Sequence, residues 1–81
     1  MIKLGKVKEI YKNVDTFMAK IHIQNTQSSE RISIDEAIQL TPGDKIKIDV
    51  EWNEDGNGQV WTIVRPIEIY VKQDPKYRIL R

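Results

Sequence analysis

Lys45-Ile46-Lys47-Ile48-Asp49-Val50-Glu51-Trp52 puts an apolar side chain on every second position and a charged one on each position before it. A β-strand turns successive side chains to opposite faces, so this stretch offers Ile46, Ile48, Val50 and Trp52 to a core and the charged set to water. Upstream, Leu40-Thr41-Pro42-Gly43-Asp44 is the turn that launches it, with a proline that presets φ and a glycine that permits the reversal. Downstream, Asn53-Glu54-Asp55-Gly56-Asn57-Gly58 has the composition of a hairpin loop. The strand expected to return, Gln59 to Val64, is apolar on both faces through Val60 and Trp61, which suits a strand covered on both sides. Pro66 then interrupts the ladder, leaving Ile67, Ile69 and Val71 as an edge strand or a kinked extension.

Towards the N-terminus, Phe17, Ala19, Ile21 and Ile23 alternate with Met18, Lys20, His22 and Gln24, a second strand with a clear core face. Asn25 to Ser29 reads as a polar turn, and Ile32 and Ile34, alternating with Arg31, Ser33 and Asp35, as the partner strand of a hairpin. Residues 35–40 suit one or two helical turns capped by Ser33 or Asp35, too short to stand alone. Ile2 to Lys12 reads as a first strand whose phase breaks between Leu4 and Val7, with Gly5 the natural bulge. The parity of these strands gives an expected core of Phe17, Ala19, Ile21, Ile23, Ile32, Ile34, Ile46, Ile48, Val50 and Val60.

Composition agrees, because 13 isoleucines and 6 valines stand against 3 leucines and 2 alanines, and β-branched side chains favour pleated sheets over helices. The chain has no cysteine, so neither disulfides nor thiolates on a metal hold it together. Met1 to Lys6 contains no continuous apolar run, and no stretch approaches the ~20 apolar residues of a membrane span, so a soluble, cytoplasmic protein is expected.

Strand, strand, strand, short helical connection and two or three more strands, with a long bent first strand, is the order expected of an OB-fold barrel. Gly5-Lys6-Val7-Lys8-Glu9-Ile10 resembles the opening strand of many OB-folds. Leu40 to Ile46 is similar to the approach to the fourth strand in OB-fold translation initiation factors and S1-type domains. A looser resemblance is to the OB-fold small subunit shared by archaeal and eukaryotic RNA polymerases. Arg31 to Pro66 also echoes the swapped-hairpin transcription regulators, a resemblance ranked below the OB reading. The expected fold is therefore all-β: residues 1–72 form one OB-like barrel of five to six strands with one short helical connection, followed by a basic, apolar tail at 73–81.

Enzyme chemistry finds little support in the sequence. His22 is the only histidine and there is no cysteine, so no triad or histidine-based metal site can be assembled from one chain. No catalytic residue, metal or cofactor is expected. Asp49, Glu51, Glu54 and Asp55 lack the spacing of a calcium loop and are read as a solvated strand face and a hairpin turn.

The net charge of +1 conceals +3 over residues 1–34, −5 over 35–59 and +3 over 60–81. If folding joins the two ends, one side becomes basic. An OB-fold takes single strands on its strand 2 and 3 face, with cations on phosphates and flat groups on bases. The residues expected to carry binding are Lys6, Lys8, Lys20, His22 and Arg31, with Tyr11, Tyr70, Tyr77 and Trp61 as further stacking groups. Tyr77, Arg78, Ile79 and Leu80 are expected to pack on a protein partner or a second copy of the chain. The leading expectation is a non-catalytic module for single-stranded or structured RNA or DNA with little sequence specificity. The alternative is a protein-interaction subunit of a larger assembly such as a transcription complex. A continuous basic face would favour the first, and alternating apolar and charged patches the second.

Overall fold

The computed structural model describes residues 1–70 and the backbone of Tyr77–Ile79. In chain order it contains β1 (Ile2–Asn13), β2 (Thr16–Ile23), β3 (Thr26–Ile32), α1 (Ile34–Gln39), β4 (Lys45–Trp52), β5 (Gln59–Ile63), β6 (Glu68–Tyr70) and β7 (Tyr77–Ile79). The strands form one nearly closed, barrel-shaped sheet in the order β3-β2-β1-β4-β6-β7, with β5 also paired to β4. The all-β barrel with one short helical connection read from the sequence is the fold observed. Of the segment 73–81, Tyr77–Ile79 runs antiparallel to β6; the rest, Leu80 included, lies outside the described residues.

β1 serves two neighbours. Its residues Ile2 to Lys6 pair with Asp49 to Lys45 of β4, and Lys6 to Asn13 pair with β2. The register slips between Val7 and Glu9, so the bulge that bends the strand sits at Lys8 and not, as the sequence suggested, at Gly5. Gly5 lies in regular register opposite Ile46, and a Cβ built there would stand 2.5 Å from Ile21 Cγ2 and 3.0 Å from Ile48 Cγ1. Its lack of a side chain leaves room for Ile21 of β2 and Ile48 of β4, the two strands that flank β1, to close over it.

β2 and β3 are joined at Gln24-Asn25, where Gln24 takes φ 53°. Thr26 to Ser29, read as turn, is therefore strand: the ladder with β2 fixes its conformation despite its polar composition. The third strand consequently ends at Ile32, and Ile34, expected in the core, opens α1 with 62% of its surface exposed. Ser33 is the cap. Its hydroxyl accepts from Glu36 N at 3.1 Å while the Glu36 carboxylate accepts from Ser33 N at 2.9 Å, a capping box that sets the helix start.

The buried core holds Val7, Ala19, Ile21, Ile23, Ile32, Ile46, Ile48 and Val50 together with Leu40, Trp61, Ile63, Ile67 and Ile69, and Phe17 packs partly buried against it. The face of β5 is the reverse of that expected. Trp61 lies opposite Val50 and is 8% exposed, whereas Val60 lies opposite Glu51 and is 54% exposed. Trp52 shares the inward parity of Val50 but is 67% exposed, because it ends β4 where the hairpin loop leaves the barrel. In the launching turn, Asp44 is buried and its carboxylate accepts from Thr41 N at 3.0 Å.

Among the described residues no ladder joins β3 to β5, and Arg65, just beyond β5, straps this seam. Its guanidinium donates to both Glu36 oxygens, at 2.9 and 3.1 Å, and to the Arg31 carbonyl at 3.2 Å. Burial pushes the Glu36 carboxyl up, but hydrogen bonds from Arg65 and the Ser33 backbone outweigh that and hold it below its ordinary value. A carboxyl depressed on folding stabilises the protein above its unfolded pKa, and the contribution disappears as pH falls through the lower folded pKa. Arg65→Ala is expected to lower stability at neutral pH by about 1 kcal/mol, partial exposure limiting the figure. It should also flatten the acid limb of a urea-midpoint profile; an unaltered acid limb would show that the strap does not stabilise the seam.

Candidate nucleic-acid interface

The alternation that buries Ala19, Ile21 and Ile23 turns Met18, Lys20 and His22 to the outer face of the sheet. Register then sets their neighbours. His22 stands between Lys6 and Gln27, Lys20 between Glu9 and Ser29, and Met18 between Tyr11 and Arg31. Lys6, Lys20, His22 and Arg31 thus share one outer face of β1, β2 and β3, and Lys8 is exposed at the bulge beside them.

The structure adds a residue that sequence reasoning missed. On its other side Lys6 lies directly opposite Lys45, and Lys45 opposite Tyr70. A single row, Gln27, His22, Lys6, Lys45, Tyr70, therefore crosses β3, β2, β1, β4 and β6, and the backbone register continues to Tyr77 of β7. The outward position of Lys45 is legible in its strand; the strand beside it is not. Trp61, a candidate stacking group, is in the core with its indole 3.4 Å from Gln59 Oε1, so it is not part of this face.

Like charges directly opposite across a ladder destabilise it unless something neutralises them. Other cations of the sheet are engaged. The Lys47 ammonium lies 2.9 Å from Glu68, which also accepts from the Tyr70 hydroxyl at 3.0 Å. Those hydrogen bonds hold Lys47 above and Glu68 below their ordinary pKa values. Lys20 is 3.7 Å from Glu9, and the Lys12 ammonium lies over the Phe17 ring. Among the described residues, Lys6, Lys8, Arg31 and Lys45 have no carboxylate partner. The acidic residues Asp49 and Glu51 lie at the opposite end of β4, where they share the Met1 ammonium at 3.0 and 2.8 Å, so the unpaired cations of the outer face gather at the Lys6/Lys45 end.

No family model, curated protein or solved structure matches the chain. Nothing beyond the geometry bears on the site. Among the described residues no group of histidine and carboxylate side chains is arranged to hold a metal ion, and no helix is long and apolar enough to cross a membrane.

Proposed function

We propose that the protein is a non-catalytic binding module for single-stranded or structured RNA or DNA. Phosphates lie along Lys6 and Lys45, flanked by Lys8, Lys20 and Arg31, and bases rest against His22, Tyr11 and Tyr70. The observation that carries this reading is the Lys6/Lys45 pair, two cations held side by side with no carboxylate between them and flanked by the rings of His22 and Tyr70. Such a pair costs stability in the free protein and recovers it when an anion binds. The strand order supports the same reading: a three-stranded meander, a helix, then β4 returning to pair with β1 is the order of OB barrels, which take single strands on the corresponding face. Cations on a backbone read charge and not base identity, so little sequence specificity follows. The cysteine-free chain suits a reducing, cytoplasmic setting.

Fluorescence anisotropy with labelled oligonucleotides at low salt tests this. Lys6→Glu with Lys45→Glu should weaken binding at least about tenfold and reduce the slope of log affinity against log salt by about 1.4, or about 0.7 for each phosphate of a single strand that is no longer neutralised. Absence of binding to any single-stranded RNA or DNA would end the proposal, and an unchanged slope would move the site off this row. The second reading, a protein-interaction subunit within an assembly such as a transcription complex, is favoured by Ile34 and Ile38. These stand one turn apart on α1 with 62% and 75% of their surfaces exposed.

A further inference from the structure

At the Asp49/Glu51 end of the barrel, away from the Lys6/Lys45 row, the sheet opens into a cleft with two adjoining lobes of about 90 and 260 Å³ that share Lys3, Val50 and Gln59. The larger lobe approaches the ~300 Å³ lower end of small-molecule pockets. Lys3 is its unusual member. It lies opposite Ile48 on the inward parity of β1, half-buried, where the alternation calls for an apolar side chain, and it has no ion pair among the described residues. The walls are aromatic, with exposed Trp52 on the larger lobe and buried Trp61 behind the smaller.

The donors and acceptors around the cleft are unequal. Lys3 brings only donors. Gln59 has its carbonyl oxygen engaged by the Trp61 indole at 3.4 Å, which leaves its NH₂ group as donor. Thr26 in the smaller lobe is the exception: its hydroxyl proton goes to the Ile23 carbonyl at 2.7 Å, so it can only accept from a ligand. Asp49 and Glu51 stand on the outer face of this end, Glu51 and Met1 line the larger lobe, and the Met1 ammonium pairs with both carboxylates at 3.0 and 2.8 Å, so the rim carries no net positive charge to draw a phosphate. A ligand that suits these walls is flat, uncharged and rich in acceptors along one edge. Lys3 is three residues from Lys6, about 10 Å along the same strand but on its other face, so a nucleic-acid strand reaches both places by passing over the rim of the barrel.

We propose that this cleft takes one unpaired keto-bearing base, guanine above all, of the strand whose phosphates lie on Lys6 and Lys45. The base stacks on Trp52 and presents its O6 and N7 acceptors to Lys3 and the Gln59 amide. This rests on the function proposed above and adds to it a base preference that the outer face does not supply.

The test is nuclear magnetic resonance of ¹⁵N-labelled protein titrated with guanosine monophosphate, adenosine monophosphate and inorganic phosphate, read at the two tryptophan indole N–H signals and the Gln59 side-chain amide. The guanine nucleotide should move all three saturably and bind at least about fivefold more tightly than the adenine nucleotide. Inorganic phosphate should leave them still. Trp52→Ala, at an exposed position, should weaken that binding at least about fivefold, and Lys3→Gln should remove the preference for guanine. The Lys6→Glu, Lys45→Glu protein should keep the guanine response while losing oligonucleotides. An equal response to both nucleotides, a response to phosphate alone, or no response at the cleft overturns the inference. Oligonucleotide binding that leaves the three signals unmoved does so too, with the outer-face reading intact. Guanine in the cleft without any oligonucleotide affinity would uphold the cleft and sink the outer face.

Discussion

Ile48→Ala is expected to cost about 2–5 kcal/mol, a large part of the stability of a domain this small. Ile48 is fully buried on β4, where it pairs with Lys3 of β1 and Ile63 of β5, so its loss empties space shared by three strands. The site cannot collapse easily, because its diagonal neighbour on the adjacent strand β1 is Gly5, which has no side chain to move into the void. Lys47→Ala, one residue away and on the opposite face, removes a solvent-screened pair with Glu68 and should shift the midpoint far less than Ile48→Ala. Urea midpoints decide the matter. Equal damage from the two substitutions would mean that β4 is turned by one residue.

Gly5→Ala should destabilise by about 1–3 kcal/mol, although exchanging glycine for alanine in an ordinary strand gains about 0.5–1 kcal/mol by restricting the unfolded chain. The sign reverses because the added methyl meets Ile21 Cγ2 at 2.5 Å and Ile48 Cγ1 at 3.0 Å, both on buried side chains. A double-mutant cycle separates the clash from any general loss of strand geometry. In an Ile21→Ala background the offending methyl is gone, and Gly5→Ala should become markedly less costly. A stabilising Gly5→Ala in the parent protein would show that Ile21 and Ile48 do not crowd this position as closely as described.

The sequence yielded those elements whose pattern is local. β2 and β4 alternate without a fault, Ser33 and Glu36 make a capping box three residues apart, and the glycine-rich loop after Trp52 closes as its composition implied. β3 was hidden because it borders the seam. Its inward positions include Ser28 and Glu30, which satisfy each other through a hydrogen bond of 2.5 Å and so need no apolar replacement. β5 offered valine and tryptophan side by side, and a period of two cannot choose between faces when both are apolar. For the binding face, the cations of β1, β2 and β3 could be placed by parity alone. Lys45 and Tyr70 could not be joined to them, since that step needs the pairing of β1 with β4 and of β4 with β6, which no local pattern encodes.

The double duty of β1 also sets the order in which the molecule can assemble. Its later half finds β2 across the short Val14-Asp15 connection, but Ile2 to Gly5 must wait for residues 46–49, so a long loop closes before that ladder gains anything. On the ribosome the meander of β1, β2 and β3 can form while the first five residues still lack a partner. Folding should therefore be limited by this late closure, slow for the chain's size as befits pairings so distant in sequence. Substitutions at Ile46 or Ile48 should then speed unfolding more than they slow folding, whereas those at Ala19 or Ile21 should slow folding itself.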